Sequence, residues 1–220
     1  MKRLVQWLAC LALLPAHVGA QTRDLPVSAT NRTEVAIELA DADLPSVLEQ
    51  YSRLSGRNVL RPPTLPKVAI TLRATATNEL AGAALVEQAL AEKNIAMISD
   101  GDKFVIVVPK AQAAKVQPHS AQLQKVSAQS DPAPLVPIGA VRFENATLPQ
   151  VLHIYAGLLG RKLKDPDRVP AGSGLVHFVA RTALTKEELL YALDTLLAWH
   201  HLRVTLVGEE HIRAVRLHEK

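Results

Sequence analysis

The sequence predicts an α+β protein made of two copies of one small module, each with the order β-α-β-β-α-β-β and two helices packed on short mixed sheets. Two observations predict it. The stretch "ADADLPSVLEQYSRLSGRNVL" (residues 40–60) recurs about a hundred residues later as "ENATLPQVLHIYAGLLGRKLK" (residues 144–164). Within each copy, short runs rich in Val, Ile and Leu alternate with stretches of helical period, the pattern of helices laid on small sheets. At an offset of 104, Ala42, Leu44, Pro45, Val47, Leu48, Tyr51, Leu54, Gly56 and Arg57 match Ala146, Leu148, Pro149, Val151, Leu152, Tyr155, Leu158, Gly160 and Arg161. The offset grows to 107 by the closing hairpins, where Gly101 meets Gly208. Agreement over so long a span reads as duplication of one module.

Each module opens with a short strand, "VAIEL" or "AVRF". A helix follows. In copy one Asp43 is placed to cap it, and Leu44, Val47, Leu48, Tyr51 and Leu54 fall on one face. In copy two Thr147 and Gln150 have capping-box spacing, and Leu148, Val151, Leu152, Tyr155 and Leu158 repeat that face. Pro45 and Pro149 fall in the first turn, where the missing N–H is no loss. Gly56 and Gly160 stand where a helix ends in a left-handed residue. Next come a short strand ("RNVL" or "RKLK"), a Pro-bearing turn and another strand ("VAITLRA" or "LVHFVA"). The second helix is Ala-rich in copy one, with Val86, Ala89 and Leu90. In copy two it opens with a Thr185–Glu188 capping box and carries Leu189, Leu193, Leu196 and Leu197. A hairpin closes each module. In copy one its turn is centred on Asp100-Gly101, a pair suited to the turn that matches strand twist.

The 220 residues divide into an expected signal peptide (1–20), module 1 (33–109), a flexible linker (110–135) and module 2 (136–217). Lys2 and Arg3, the apolar run "LVQWLACLALLP" and the small-residue end "AHVGA" have the form of a secretory signal cleaved after Ala20. An uncleaved anchor is the alternative. A lipid on Cys10 is opposed by the short apolar run ahead of it. No later run reaches the roughly 20 apolar residues of a membrane helix. Cleavage removes Cys10, the single cysteine, and with it any disulfide, thiol nucleophile or Cys metal site. Without Lys2 and Arg3, 23 basic residues face 21 acidic ones, and they are interspersed. That balance is no nucleic-acid or membrane signature. The linker is rich in Ala, Gln, Ser, Lys and Pro. As a coil it would span about 25–30 Å; a short helix over 111–116 competes with that reading.

The motifs of chemistry are sparse. No phosphate loop, nucleophile elbow or His-x-x-x-His is present. His177, His200, His201 and His211 are the candidates for a metal, but adjacent helical residues point about 100° apart, so solvated or partly packed histidines are the simpler reading. Glu187-Glu188 reads as helix N-terminal charge and cap, and Glu209-Glu210 as a solvated hairpin tip. Tyr51 and Tyr155 lie in the apolar stripe and read as core. Arg57 and Arg161 follow the two glycines and are either partner contacts or solvated turn residues. The expectation is therefore no catalytic residue, no cofactor and no metal. The open edges of small sheets can accept a strand from another chain. Val35, Ile37 and Leu39 on one opening strand, Val141 and Phe143 on the other, with Arg57 and Arg161, are the candidate partner-interface residues.

Ala42, Asp43, Leu44, Val47, Leu48, Leu54, Ser55, Gly56 and Asn58, then Ile70 and Leu72, then Val105, Ile106 and Val108, follow a known pattern. It resembles the first periplasmic domain of bacterial secretins and the similar short signalling domain of TonB-dependent receptors (the secretin and TonB N-terminus short domain). Copy two departs from it at Thr147, Leu159 and Lys162, the places of Asp43, Ser55 and Asn58. Beyond the two modules no stretch corresponds to the secretin pore or a receptor barrel, so a pore is not expected. The resemblance implies a periplasmic, non-enzymatic protein–protein interaction protein. Its partners would be a secretin, an inner-membrane platform protein or another copy of itself, in a type II secretion or type IV pilus system. A membrane regulator is the signalling alternative, and an envelope enzyme or small-ligand binder is the alternative from another class.

Overall fold

The computed structural model describes residues 34–118, 136–166, 169 and 175–217. The expected signal and its cleavage site, residues 119–135 of the linker and the "AGSG" turn of copy two lie outside the described residues. The first half runs β1 (Val35–Asp43), α1 (Leu44–Ser55), β2 (Asn58–Leu60), β3 (Ala69–Ala76), α2 (Glu79–Glu92), β4 (Ile95–Asp100) and β5 (Phe104–Pro109). The second half repeats that order with β6 (Arg142–Ala146), α3 (Leu148–Leu159), β7 (Lys162–Leu163), β8 (Val176–Val179), α4 (Lys186–Trp199), β9 (Leu202–Val207) and β10 (His211–Arg216). The protein is α+β, as the periodicity predicts.

Pairing repeats with the order. β1 runs antiparallel to β3, and β6 to β8. The closing strands form three-stranded sheets, β2-β5-β4 and β7-β10-β9, with the short strand parallel to the central one in each. β1 is longer than the expected "VAIEL". Asp41 takes a left-handed φ of 52°, which puts an irregularity between Leu39 and Ala42, and pairing then resumes up to the cap. Asn145 does the same in β6 at φ 61°. Asp and Asn tolerate this conformation because their short polar side chains bond locally.

The helix ends follow the sequence. Asp43 accepts the Ser46 N–H at 3.0 Å, Gln150 accepts the Thr147 N–H at 2.8 Å, and Thr185 and Glu188 form a reciprocal capping box. Gly56 and Gly160 close α1 and α3 at φ 68° and 65°. The hairpin turn departs from expectation. Asp100 is the last residue of β4, opposite Phe104, so the loop is the three residues Gly101–Lys103, with φ 65° at Gly101. The start of the expected linker is also ordered: Lys110–Lys115 form a 3-10 turn, held by the Lys110 N–H to the Asn94 carbonyl at 2.8 Å.

Two apolar cores result. One joins the inner faces of α1, α2, β1 and β3 with Val105 and Val107 of β5. The other contains α3, α4, β6, β8 and Ile212, together with Leu60, Phe104, Ile106 and Val108 from the first half. Alternate residues of β5 thus serve different cores, and the strand is buried on both faces. The predicted core residues Leu44, Val47, Leu48, Tyr51, Leu54, Leu148, Val151, Leu152 and Tyr155 are buried; Leu158 is half-buried.

Candidate functional site

The two modules meet through polar side chains around that shared face. Asn58, fully buried at the start of β2, uses both ends of its amide. Its Oδ1 accepts the Arg181 N–H at 2.6 Å, and its Nδ2 donates to Thr182 Oγ1 at 2.7 Å and to the Lys103 carbonyl at 3.0 Å. Lys103 Nζ, at the tip of the first hairpin, reaches Glu188 Oε2 at 2.7 Å and the Ala183 carbonyl at 3.1 Å. Arg181 pairs with Glu49 of α1, and the Tyr191 hydroxyl donates to Asp100. The Tyr191 ring stands edge-on to Phe104, with centroids 5.7 Å apart.

A strand of one module therefore lies in a groove of the other. The outward face of β8 presents His177 and Val179, with Arg181 two residues on, and it rests on Pro45, Leu48, Glu49, Ser52 and Val59 of α1 and β2, leaving a gap of only about 20 Å³. At the 104 offset, Pro149, His153, Ala156 and Leu163 take the places of Pro45, Glu49, Ser52 and Val59. Those four residues line an open groove of about 960 Å³ bounded by β6, α3 and β7. Ile154 on its wall is 41% exposed.

A second pocket, about 350 Å³, contains Arg61, His177 and His200. Burial, then the Arg61 charge, holds His177 below the usual histidine range. Burial lowers His200 too, with His201 adding to it. Among the described residues no group of three or more His, Cys, Asp or Glu is arranged to hold a metal.

The sequence-predicted interface residues separate into two kinds. Ile37, Leu39 and Phe143 turn their side chains into the core, while Val35 and Val141 are half-buried. A partner at these strands would meet backbone and the opposite side chains. Val141 lies just before β6, its carbonyl accepting the Ala180 N–H at 3.0 Å. Arg57 donates to Ser99 Oγ at 2.7 Å and Arg161 to the Gly208 carbonyl at 2.8 Å, so each braces its own module's hairpin. Arg161 also lines the open groove. Tyr51 and Tyr155 are core residues whose hydroxyls meet acids of the second helix. Tyr51 donates to Glu87 at 2.7 Å, and burial followed by that bond pushes its pKa to about 12. Tyr155 pairs with Asp194 and is raised in the same way, chiefly by burial, while burial also raises Asp194.

Sequence reasoning missed the junction. Its signal was the pair Asn58 and Lys162: a buried amide in one copy stands where the other copy has an exposed lysine.

No family model matches the chain, and no curated protein matches it. A solved structure entitled "Structure of XcpQN012" is similar over 78% of this chain and 70% of its own, at 14% identity and a TM-score of 0.32. A likeness of that size carries no conclusion about function. Among the described residues no helix is long and apolar enough to cross a membrane.

Proposed function

We propose that the protein is an exported, periplasmic, non-enzymatic docking protein that works in or beside a secretin-based envelope machine of the type II secretion or type IV pilus kind. The observation that supports a docking role is the seat of β8. The groove between α1 and β2 holds an extended segment of protein through an apolar floor, one ion pair and a buried amide. The seat is made by side chains, since β8 pairs its backbone with β6 and β2 with β5. Asn58, Lys103, Glu49 and Glu188 of the junction are each engaged across it. The envelope assignment is supported by the residues from Ala42 to Asn58 and by the signal-like start of the chain.

Crosslinking the tagged protein in its own host, followed by mass spectrometry of what is captured, tests this reading. Recovery of a secretin or its inner-membrane platform is the expected result. Recovery of a membrane-bound regulator with no secretion component would move the protein to the signalling role of the receptor domain.

A further inference from the structure

We propose that the open groove of the second module is a docking site for an extended strand of a different protein, one that carries an acidic side chain and, two residues before it, a bulky apolar one. This rests on the docking role proposed above and names its surface and the chemistry of its partner.

The first module shows what such a groove accepts. There β8 lies along α1 and β2 with His177, Val179 and Arg181 at every second position. Glu49 takes the Arg181 guanidinium, and Asn58 takes the Arg181 N–H. In the second module both receiving groups have changed sign or kind. His153 stands for Glu49 and Lys162 for Asn58. A lysine can only donate. Arg142 and Arg161 also line the groove, against Glu144 alone, and Glu144 is already paired with Arg142. A side chain arriving at the Arg181 place therefore meets a lining with more cations than acids, and a carboxylate complements that charge.

The floor has changed in size. Ala156 and Gly157 replace Ser52 and Arg53. A Cβ built on Gly157 meets nothing within 4 Å. The space over Gly157 is open, and Leu163 and half-exposed Ile154 beside it give the groove apolar walls. A Leu or Phe two residues before the acid fits it.

The strand of a second copy that corresponds to β8 does not fit this groove. The strand equivalent to β8 is β3, aligned by the ladder pairs Leu39–Leu72 and Phe143–Phe178. Its outward residues are Thr71, Arg73 and Thr75, all exposed. They would bring an arginine to a groove already lined by Arg142, Arg161 and Lys162.

Two synthetic peptides test the proposal. Both carry the sequence of residues 176–183 with Val179→Leu; one keeps the arginine and the other has Arg181→Glu. Each is titrated into the isotope-labelled mature chain while amide chemical shifts are followed. The acidic peptide is expected to perturb Gln150, His153, Ile154 and Leu163 saturably and to bind at least about tenfold tighter than the basic one. Lys162→Glu, at an exposed site, is expected to erase that preference. The proposal is overturned if the acidic peptide gives no saturable shift at these residues up to about 1 mM, or if the two peptides bind alike. It is also overturned if the chain self-associates and Ile154→Glu abolishes that association, which would assign the groove to a second copy. Capture of an envelope partner in cells with a silent groove would leave the docking role standing and remove this site alone.

Discussion

Asn58→Ala is the substitution whose consequence the structure defines best. The side chain is fully buried and holds four polar contacts: two donated by its Nδ2, and N–H bonds from Arg181 at 2.6 Å and Thr182 at 3.4 Å accepted by its Oδ1. Alanine removes the acceptor of the Arg181 N–H. The Lys103 carbonyl keeps the Asn58 backbone N–H at 2.8 Å, and the Thr182 hydroxyl can rotate, so one strongly orphaned group remains. A buried donor left without an acceptor costs about 1–3 kcal/mol, and the lost side-chain volume adds about 1 kcal/mol. A loss of about 2–4 kcal/mol is therefore expected. Urea unfolding followed by circular dichroism measures it, with Lys162→Ala as the matched control in the other copy. That lysine is exposed, and its removal should cost less than about 0.5 kcal/mol. Equal effects of the two substitutions would refute the assignment of Asn58 as the tie between modules.

Three further outcomes follow from the same contacts. Val108→Lys places an ammonium in the shared core and should cost more than about 3 kcal/mol by urea midpoint, whereas Val215→Lys, its half-buried equivalent on β10, should cost less than about 1 kcal/mol. Gly56→Ala and Gly160→Ala should each cost about 1 kcal/mol in the same assay; open space surrounds both positions, so the cost is the left-handed backbone and should be alike in the two copies. Acid should weaken the fold through His177 and His200. Both are held below the ordinary histidine value of 6.5, so the folded chain favours their neutral forms. Their contribution is fully present above 6.5 and is lost as pH falls through the depressed folded values. Around His177, Arg61 and Arg142 reinforce the depression and Glu144 opposes it. His177→Gln should flatten the fall in urea midpoint between about pH 7 and about pH 5; an unchanged slope would show that His177 does not carry it.

Much of the fold was legible because its signals are local. The two caps, the two terminal glycines and the Leu/Val/Tyr stripes of α1 and α3 each depend on neighbours within a few residues. The hairpin turn was misplaced for a related reason: Asp-Gly has two settings, and only the pairing of Asp100 with Phe104 shows that the aspartate stays in the strand. The candidate interface was less legible. Alternation along "VAIEL" marks one inward face but does not say whether that face meets its own core or a partner, and Ile37 and Leu39 meet the core. The junction depends on comparing copies. Phe104, Ile106 and Val108 face outward from their module where the second copy has His211, Arg213 and Val215. One face is greasy and the other largely polar, a difference that acquires meaning only once α4 is seen lying on the first.

The burial of β5 on both sides has a consequence for how the chain is made. Ribosomes release the first half before the second. Until α4 exists, Leu60, Phe104, Ile106 and Val108 face water as a continuous oily strip. About 77 residues separate the end of β5 from the start of α4, so the strip stays uncovered until that length of chain has followed it. A nascent chain is at its stickiest in that interval, and a gene cut after residue 109 would make the interval permanent. Solubility of such a truncated product should return when the strip is made polar, a repair the full-length protein would not tolerate.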